Sequence, residues 1–300
     1  MLNGMTASGI LLVDKPTGIT SHDVVAKSRR ARGTRKVGHA GTLDPMATGL
    51  LIVGVEQATR LLTFIVGCDK TYLATIRLGQ TTTTDDADGD IDLVADAAAV
   101  AAVADEQIAA GIAELTGPIS QVPSKVSAIK VNGKRAYDLA RQGVEVELKA
   151  RDVTVSRFDV TETRRGEGFI DLDVVVDCSS GTYIRALARD LGSALGIGGH
   201  LTMLRRTRVG GFDVADAVAI DGLEEAALVA PADVATAVMG RLDVSAEVAR
   251  DLRHGKRVEA PERFEGQRAA IDPDGSLIGV VERRGSQMKS IMNMPEEASK

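Results

Sequence analysis

The stretch KVGHAGTLDPMATGLL, residues 36–51, carries one histidine, one carboxylate and three glycines directly after the basic run KSRRARGTRK, residues 27–36. The carboxylate belongs to Asp44. An aspartate in a glycine-rich turn most often bonds its own local backbone, so a turn-forming role is the first interpretation of Asp44. The question is which chemistry would place a carboxylate beside so many cations.

Three chemical roles compete with the turn-forming one. A metal site finds little support, because the four histidines form neither an HxH nor an HExxH pattern. A phosphate cradle fits poorly, because neither of the usual glycine-rich phosphate-binding spacings is present. A carboxylate nucleophile beside a nucleic-acid-binding surface remains open.

Length and composition set the outer limits. A chain of 300 residues has room for one large domain and a small one, and no apolar run is long enough to span a membrane. The first nine residues resemble a loose tail and not a signal peptide, so we expect a cytoplasmic protein. Cys68 and Cys178 lack a C-x-x-C spacing and are expected to be free thiols.

Charge is distributed unevenly along the chain. The net charge of −6 argues against a nucleic-acid partner, yet residues 27–36 carry six positive charges and no acid. Smaller basic groups recur at residues 130–135, 205–208 and 253–257. If these groups share one face, the field can steer a polyanion, although solvated surface charge explains any single group equally well. Aromatic residues make up only 3%, so a broad base-stacking platform is not expected.

Hydrophobic periodicity predicts the main elements. Strands are predicted in GILLVDKPTG, KTYLATIRLG and FIDLDVVVDC, a helix capped by Ser21 in SHDVVAKSRRA, and an alanine-rich helix from Ala97 to Leu115. The acidic stretch TTTTDDADGD lacks calcium-loop spacing and is interpreted as a solvated loop. A further helix is predicted to begin near Arg185. Arg185 lies off the apolar stripe of this helix, so a solvated surface arginine is the simpler interpretation. The stretches after residue 240 predict a small β-rich domain.

Six blocks of the chain together resemble the TruB-type tRNA pseudouridine synthases. They lie in order between residues 10 and 212, and they are GILLVDKPTGITSHDVV, KVGHAGTLDPMATGLLIVGVEQATRLL, KTYLATIRLGQTTTTDDADG, GPISQVPSKVSAIKVNGKRAYDLARQG, CSSGTYIRALARDLG and GGHLTMLRRTRVGGF. The tail from about residue 240 is similar, more loosely, to the PUA-like RNA-binding domain of that family.

The resemblance implies an α+β fold, with a mixed, largely antiparallel sheet flanked by helices. It implies a tail over residues 1–9, a catalytic domain over 10–238 with a thumb-like insertion at about 118–150, and a PUA-like domain over 240–295. The implied activity is conversion of the uridine conventionally numbered 55, in the tRNA T loop, to pseudouridine. The implied enzyme uses no cofactor and no metal, needs no obligate protein partner and acts as a monomer.

The resemblance also places the catalytic residues. The nucleophile falls on Asp44, which attacks the base or the anomeric carbon of the sugar. The active-site arginine falls on Arg185, whose guanidinium would pair with Asp44, lower its pKa and keep it ionised. The active-site tyrosine falls on Tyr72, whose ring would pack against the extruded uracil; proton transfer by its hydroxyl is the second alternative.

The other expected contacts are with RNA. His39 would fill the space that the flipped base vacates, Leu204 would wall the uracil pocket, and Lys15 would support the Asp44 loop. Gly41 would allow close approach of the RNA. The run that includes Arg35 and Lys36 would hold phosphates, as would the thumb. Where family members commonly carry Pro-Pro and a tyrosine in the thumb, this chain has Ser124 and Val126, which changes the expected thumb contact.

Two rival functions remain at this stage. One is a non-catalytic module that binds or folds tRNA, alone or beside the enzyme activity; the basic groups and the tail motivate it. The other is an RNA-guided synthase that works with partner proteins through the same chemistry. The sequence shows none of the additional elements that such an assembly would use.

Overall fold

The elements are those of a computed structural model that describes residues 7–124, 148–261 and 264–295, with the backbone of residues 130–131 and 134–135. The strands are β1 (Gly9–Lys15), β2 (Val37–Ala40), β3 (Thr48–Val55), β4 (Lys70–Leu78), β5 (Gln80–Thr82), β6 (Ile91–Val94), β7 (Gly117–Gln121), β8 (Lys130–Val131), β9 (Lys134–Arg135), β10 (Arg151–Gly166), β11 (Phe169–Cys178), β12 (Gly199–Val209), β13 (Phe212–Asp213), β14 (Arg241–Asp243), β15 (Val258–Glu259), β16 (Gln267–Ile271), β17 (Leu277–Arg284) and β18 (Gln287–Asn293). The α-helices are α1 (Ser21–Ala31), α2 (Leu62–Val66), α3 (Ala97–Ala101), α4 (Asp105–Glu114), α5 (Ile184–Ala194), α6 (Pro231–Met239) and α7 (Ala246–Arg253).

A large mixed sheet organises the N-terminal part of the chain. Its strand order is β1-β3-β12-β4-β11-β10-β7, with β2 paired to β3 and β13 paired to β12. Every pairing in it is antiparallel except that of β3 with β12, which is parallel. The predicted α+β fold with a mixed, largely antiparallel sheet and flanking helices is therefore confirmed.

The parallel contact brings two distant segments together. Thr48 pairs with Arg205 and Gly49 pairs with Arg206. Gly49 has φ +99°, and a Cβ at this position would lie 2.2 Å from the Arg206 carbonyl oxygen, so only glycine fits. This contact sets the end of β12 beside the loop that contains Asp44.

The two faces of the sheet are covered differently. On one face, alternate residues of β4 and β11 form a core with α1, α4 and α5 that includes Tyr72, Ile76, Leu172 and Leu187. On the other face, β1 and β3 pack on α2, α6 and the C-terminal strands. The apolar residues that alternate along β4 and β11 in the sequence are therefore the ones that face the core.

Two sequence predictions about helices are wrong in detail. The predicted helix from Ala97 to Leu115 is two helices, because α3 ends at Ala101 and Ala104 has extended backbone (φ −82°, ψ 156°) before α4 begins. Alanine propensity alone gives no break there. The cap of α1 is Thr20 and not Ser21: Asp23 N donates to Thr20 Oγ1 and Thr20 N donates to Asp23, forming a capping box.

The C-terminal strands form a separate five-stranded sheet in the order β14-β16-β17-β18-β15. The predicted β-rich tail is thus confirmed, while the domain boundaries at residues 9, 238 and 240 stay predictions. Of the thumb, Val126 and most of the segment 125–147 lie outside the described residues; Ser124 is buried. Cys68 and Cys178 are free thiols, as predicted. Within the described ranges, no helix is long and apolar enough to cross a membrane.

Candidate active site

The loop that carries Asp44, residues 41–47, joins β2 to β3 and is held by neighbouring elements. On one side, Ser21 Oγ at the start of α1 accepts a hydrogen bond from Leu43 N (2.9 Å) and donates one to Leu43 O (3.0 Å). On another side, Lys15 Nζ at the end of β1 donates to Pro45 O (3.2 Å). The loop is therefore fixed around a carboxylate whose side chain keeps 36% of its surface exposed.

Lys15 lies beneath this loop and does not line the cavity that Asp44 and Arg185 line. It is fully buried, and its Nζ also donates to Pro16 O (2.9 Å) and Ile19 O (2.8 Å). Burial lowers the pKa of Lys15 to about 8. These contacts are those of a residue that holds the Asp44 loop, and that role stays a prediction.

Replacing Lys15 by methionine tests this support. We expect Lys15→Met to lower the free energy of unfolding by about 1–3 kcal/mol at neutral pH, because three carbonyl oxygens lose their donor. The unfolded lysine keeps its proton up to its ordinary pKa of 10.5, whereas the folded one loses it near 8, so stability of the parent chain rises between these pH values. Denaturant unfolding at pH 7 and pH 10 should show the difference between parent and variant widening at pH 10; a constant difference would contradict the assignment.

Arg185 lies in the first turn of α5, where the helix start is fixed by Gln121. The Gln121 side chain donates to Tyr183 O (3.1 Å) and accepts from Tyr183 N (2.8 Å). Arg185 Nη2 lies 3.0 Å from Asp44 Oδ2, and Nη1 lies 3.3 Å from Asp86 Oδ2. Only 4% of the Arg185 side chain is exposed, so it is a buried ion-pair partner of two carboxylates and not a solvated surface arginine.

The pKa of Asp44 departs from the sequence expectation. Burial raises the pKa of Asp44 above its ordinary value, Arg185 opposes this, and the charge of Asp86 raises it further. The expectation of a lowered pKa is wrong, because it counted the guanidinium and omitted both burial and the second carboxylate. Arg185 thus limits the rise in pKa.

Asp86 is the main site residue that the sequence analysis missed. The stretch read as a solvated loop places Asp86 with 3% exposure, where its carboxylate faces Arg185 and accepts hydrogen bonds from Thr84 Oγ1 and Asp88 N. Thr84 O in turn accepts a hydrogen bond from Arg185 Nη1 at 2.8 Å. The signal available in the sequence was that this stretch belongs to one of the six ordered blocks, although its composition is typical of an exposed turn.

Asp86→Asn should slow the reaction that the family resemblance implies and shift its pH dependence. We expect the single-turnover rate of that reaction to fall about ten- to hundredfold, because Arg185 loses a buried charged partner. Asp86 raises the pKa of Asp44, so removing its charge lowers that pKa and moves the acid limb of the rate profile to lower pH. The matched control is Asp85→Asn, because Asp85 pairs with Arg189 at 3.5 Å. An acid limb that moves to higher pH in Asp86→Asn would contradict the arrangement.

A cavity of about 270 Å³ opens over Asp44 and Arg185. Three of the other sequence-predicted residues line it, namely Gly41, Tyr72 and Leu204. Tyr72 is buried, and burial raises the pKa of its hydroxyl while Arg206 opposes the rise. A phenol with a raised pKa stays protonated at neutral pH, which favours the packing role of the ring over proton abstraction.

Two buried basic residues in the cavity wall were also missed. Lys70 and Arg206 line the cavity beside Tyr72, with 6% and 1% exposure. Arg206 was read as part of a basic surface group, residues 205–208. The available signal was the period of a strand: Arg206 lies two residues after Leu204, so both face the same side of β12.

The remaining predicted contacts lie outside the cavity. His39 is half-buried on β2, and its ring meets the His22 ring edge-on at 5.5 Å between centroids. Burial, together with His22 and Arg206, lowers the pKa of His39, which favours a neutral ring. Arg35 is exposed, and Lys36 Nζ is exposed and donates to Gln57 Oε1 (2.6 Å). The roles of these residues in RNA contact stay predictions.

Comparison with known proteins shows the family of the chain. The model of the N-terminal domain of the TruB family of pseudouridylate synthases matches residues 29–184, and two C-terminal models, described as those of tRNA pseudouridylate synthase B and tRNA pseudouridine synthase II, match residues 185–243 and 239–295. The tRNA pseudouridine synthase B of Leifsonia xyli is 58% identical over 299 residues, covering 98% of this chain and 99% of that protein. The protein of that name from Mycobacterium sp. (strain KMS) is 54% identical and covers 95% of each chain.

Solved structures are similar at the level of the fold. A crystal structure of a Cbf5-Nop10-Gar1 complex contains a chain that is 24% identical, with a TM-score of 0.71 over 96% of this chain and 84% of that one. The family models and the curated relatives show that the chain is a pseudouridylate synthase, an isomerase. The chain belongs to the TruB family of these enzymes.

Proposed function

We propose that this chain converts one uridine of tRNA to pseudouridine, namely the uridine conventionally numbered 55 in the T loop, with Asp44 as the nucleophile. The observation that carries the proposal is the Asp44 carboxylate, which lies 3.0 Å from a buried guanidinium in the lining of a cavity. An ionised carboxylate in that position attacks either the base or the anomeric carbon of the sugar.

The cavity has the size of a single nucleoside and not of a stretch of RNA. The target base must therefore leave its stack, at a cost of about a few kcal/mol, before it reaches Asp44. In the bound state the Tyr72 ring packs against the uracil and Leu204 contacts its edge, since both line the cavity. Gly41, with φ +84°, leaves the loop backbone open to close approach by the nucleotide.

The exposed cations of the basic run bind phosphates of the T arm. Two members of the run donate to backbone carbonyls of the protein itself, Arg29 to Val37 O and Arg32 to Ala226 O. The proposed phosphate contacts come from four exposed members of the run, namely Lys27, Arg30, Arg35 and Lys36. The neutral His39 ring fills the space that the flipped base leaves. Binding through phosphates makes tRNA affinity strongly dependent on salt.

One chain is sufficient for the proposed reaction. Asp44, Tyr72 and Arg185 all come from the same chain and line one cavity. We therefore propose a monomer that acts on tRNA in the cytoplasm without an obligate protein partner and without a cofactor.

The test uses the purified chain alone. An unmodified tRNA transcript labelled with tritium at carbon 5 of its uridines should release about one equivalent of tritium per tRNA, because carbon 5 loses its hydrogen when it joins the sugar. A transcript with cytidine at position 55 should release none. Release that requires added protein or guide RNA would contradict stand-alone activity, and equal release from both transcripts would contradict the proposed site.

A further inference from the structure

Two groups of charged side chains contribute to the lining of the cavity, and they differ in net charge. In one group, Arg185 is shared by the carboxylates of Asp44 and Asp86, so this group carries a net negative charge when both acids are ionised. The other group consists of Lys70 and Arg206. Among the residues that the structure describes, no carboxylate forms an ion pair with either of these two side chains.

Of the two side chains, Arg206 keeps its positive charge more firmly. Burial and the neighbouring Arg206 lower the pKa of Lys70, whereas an arginine keeps its charge in a protein. Arg206 Nε donates to Leu50 O (2.8 Å) and Nη2 donates to Gly41 O (3.0 Å), which fixes the guanidinium in position. Carbonyl oxygens satisfy hydrogen-bond donors but do not neutralise the charge, and burying such a charge costs several kcal/mol.

The position of Arg206 relates it to the substrate. Arg206 pairs with Tyr72 across β12 and β4, so both side chains leave the same face of the sheet at the same level. Both also line the cavity. A base packed on the Tyr72 ring would therefore lie next to the guanidinium charge.

The proposed reaction makes the base negative in either of its two courses. If the Asp44 carboxylate attacks C1′, an O–C1′ bond forms as the C1′–N1 bond breaks, and the electron pair of the broken bond stays on the base. C5 of the turned base then gives a pair to C1′ and displaces the Asp44 oxygen, after which C5 loses its proton to water and N1 gains one. If the Asp44 carboxylate instead adds to C6, the pair of the C5–C6 double bond moves toward O4; C5 then bonds C1′ as the C1′–N1 bond breaks, N1 gains a proton, and loss of the C5 proton expels the Asp44 oxygen from C6. A fixed cation in a buried site stabilises such charge strongly, because it needs no reorganisation when the charge forms.

We propose that Arg206 supplies the positive charge that stabilises the uracil as it becomes anionic, while Arg185 holds the Asp44 carboxylate. The inference rests on the proposed function. It assigns the two buried arginines to different reacting groups: one to the nucleophile, the other to the base.

The test compares uridine with 5-fluorouridine at the target position of a synthetic T-arm hairpin. Fluorine stabilises the anionic base, so a substrate that carries it depends less on an external cation. The measured quantity is the single-turnover rate at which the target nucleoside disappears from nuclease digests. On uridine, the single-turnover rate of Arg206→Met should be about 10²–10³-fold lower than that of the parent chain. On 5-fluorouridine, the fold-reduction in this rate should be at least tenfold smaller.

The matched control is Arg205→Met, the preceding residue on β12. Its guanidinium faces the opposite side and donates to both oxygens of Asp14 (3.0 and 2.8 Å), so its rates should stay within about threefold of the parent on both substrates. Equal losses on the two substrates in Arg206→Met, with parent-like melting and hairpin binding, would overturn the inference, since a purely structural role slows both alike.

If Arg206→Met does not fold, Arg206→Lys carries the same comparison. Lysine keeps the charge but not the planar fork of the guanidinium. The rate on uridine should therefore fall less than in Arg206→Met, and the rate on 5-fluorouridine should fall less again. Equal losses would overturn the inference in this variant too. A parent chain that leaves uridine unchanged would instead overturn the proposed function, which separates the two failures.

Discussion

Asp44→Asn should abolish turnover and leave tRNA binding nearly intact. An asparagine side chain fills the same space but is not a nucleophile, so the single-turnover rate should fall by about 10⁴-fold or more. Binding should change little, because the proposed phosphate contacts come from exposed cations of the basic run, away from the cavity. The measurements are tritium release from carbon 5 of uridine and the affinity for unmodified tRNA.

The control for Asp44→Asn is Asp171→Asn. Asp171 accepts two hydrogen bonds from Arg77 (2.8 and 2.7 Å) on the sheet face opposite Tyr72, so its removal should change the rate by no more than about threefold. Persistent turnover by Asp44→Asn would contradict the nucleophile assignment. If that variant still accelerates tRNA folding, a folding activity exists beside the enzyme activity.

Arg185→Lys should lose most of its activity although it keeps the charge. The guanidinium bonds Asp44, Asp86 and Thr84 O through two nitrogens, and a single ammonium cannot reproduce this planar arrangement. We expect the single-turnover rate to fall about 10²–10³-fold, the loss seen when a fixed charge-stabilising donor is removed. Because the acidic partners stay buried, the variant should also melt at a lower temperature.

Arg189→Lys is the matched control one turn later on α5. The Arg189 side chain is 27% exposed and pairs with Asp85 and Asp190. The single-turnover rate of Arg189→Lys should therefore stay within about threefold of the parent rate. A near-normal rate in Arg185→Lys, measured at saturating tRNA, would mean that the ion pair with Asp44 is not needed for the reaction.

Much of the fold could be predicted because local periodicity was strong. Alternation in β4 and β11 matches their buried faces, since each strand has one face on the main core. The parallel contact of β3 with β12 could not be predicted from periodicity, because it joins segments about 150 residues apart. The break between α3 and α4 was missed because the alanine-rich sequence favours helix on both sides of Ala104, which has extended backbone.

The site was predicted in part for similar reasons. The family resemblance indicated Asp44, Tyr72, Leu204 and Arg185, and these four residues line one cavity. Asp86 was missed because its Thr and Asp neighbours have the composition of an exposed turn, and burial is a property of the folded chain. Burial of Asp44, together with the charge of Asp86, made the expected direction of the Asp44 pKa shift wrong.

Mapping pseudouridine at nucleotide resolution tests the central claim most directly. An unmodified tRNA transcript is incubated with the purified chain and, in parallel, with Asp44→Asn, and every uridine is then examined for conversion. The account predicts pseudouridine at the uridine conventionally numbered 55 with the parent chain, and none with the variant. Conversion at a different uridine, conversion by Asp44→Asn, or no conversion by the parent chain would contradict it.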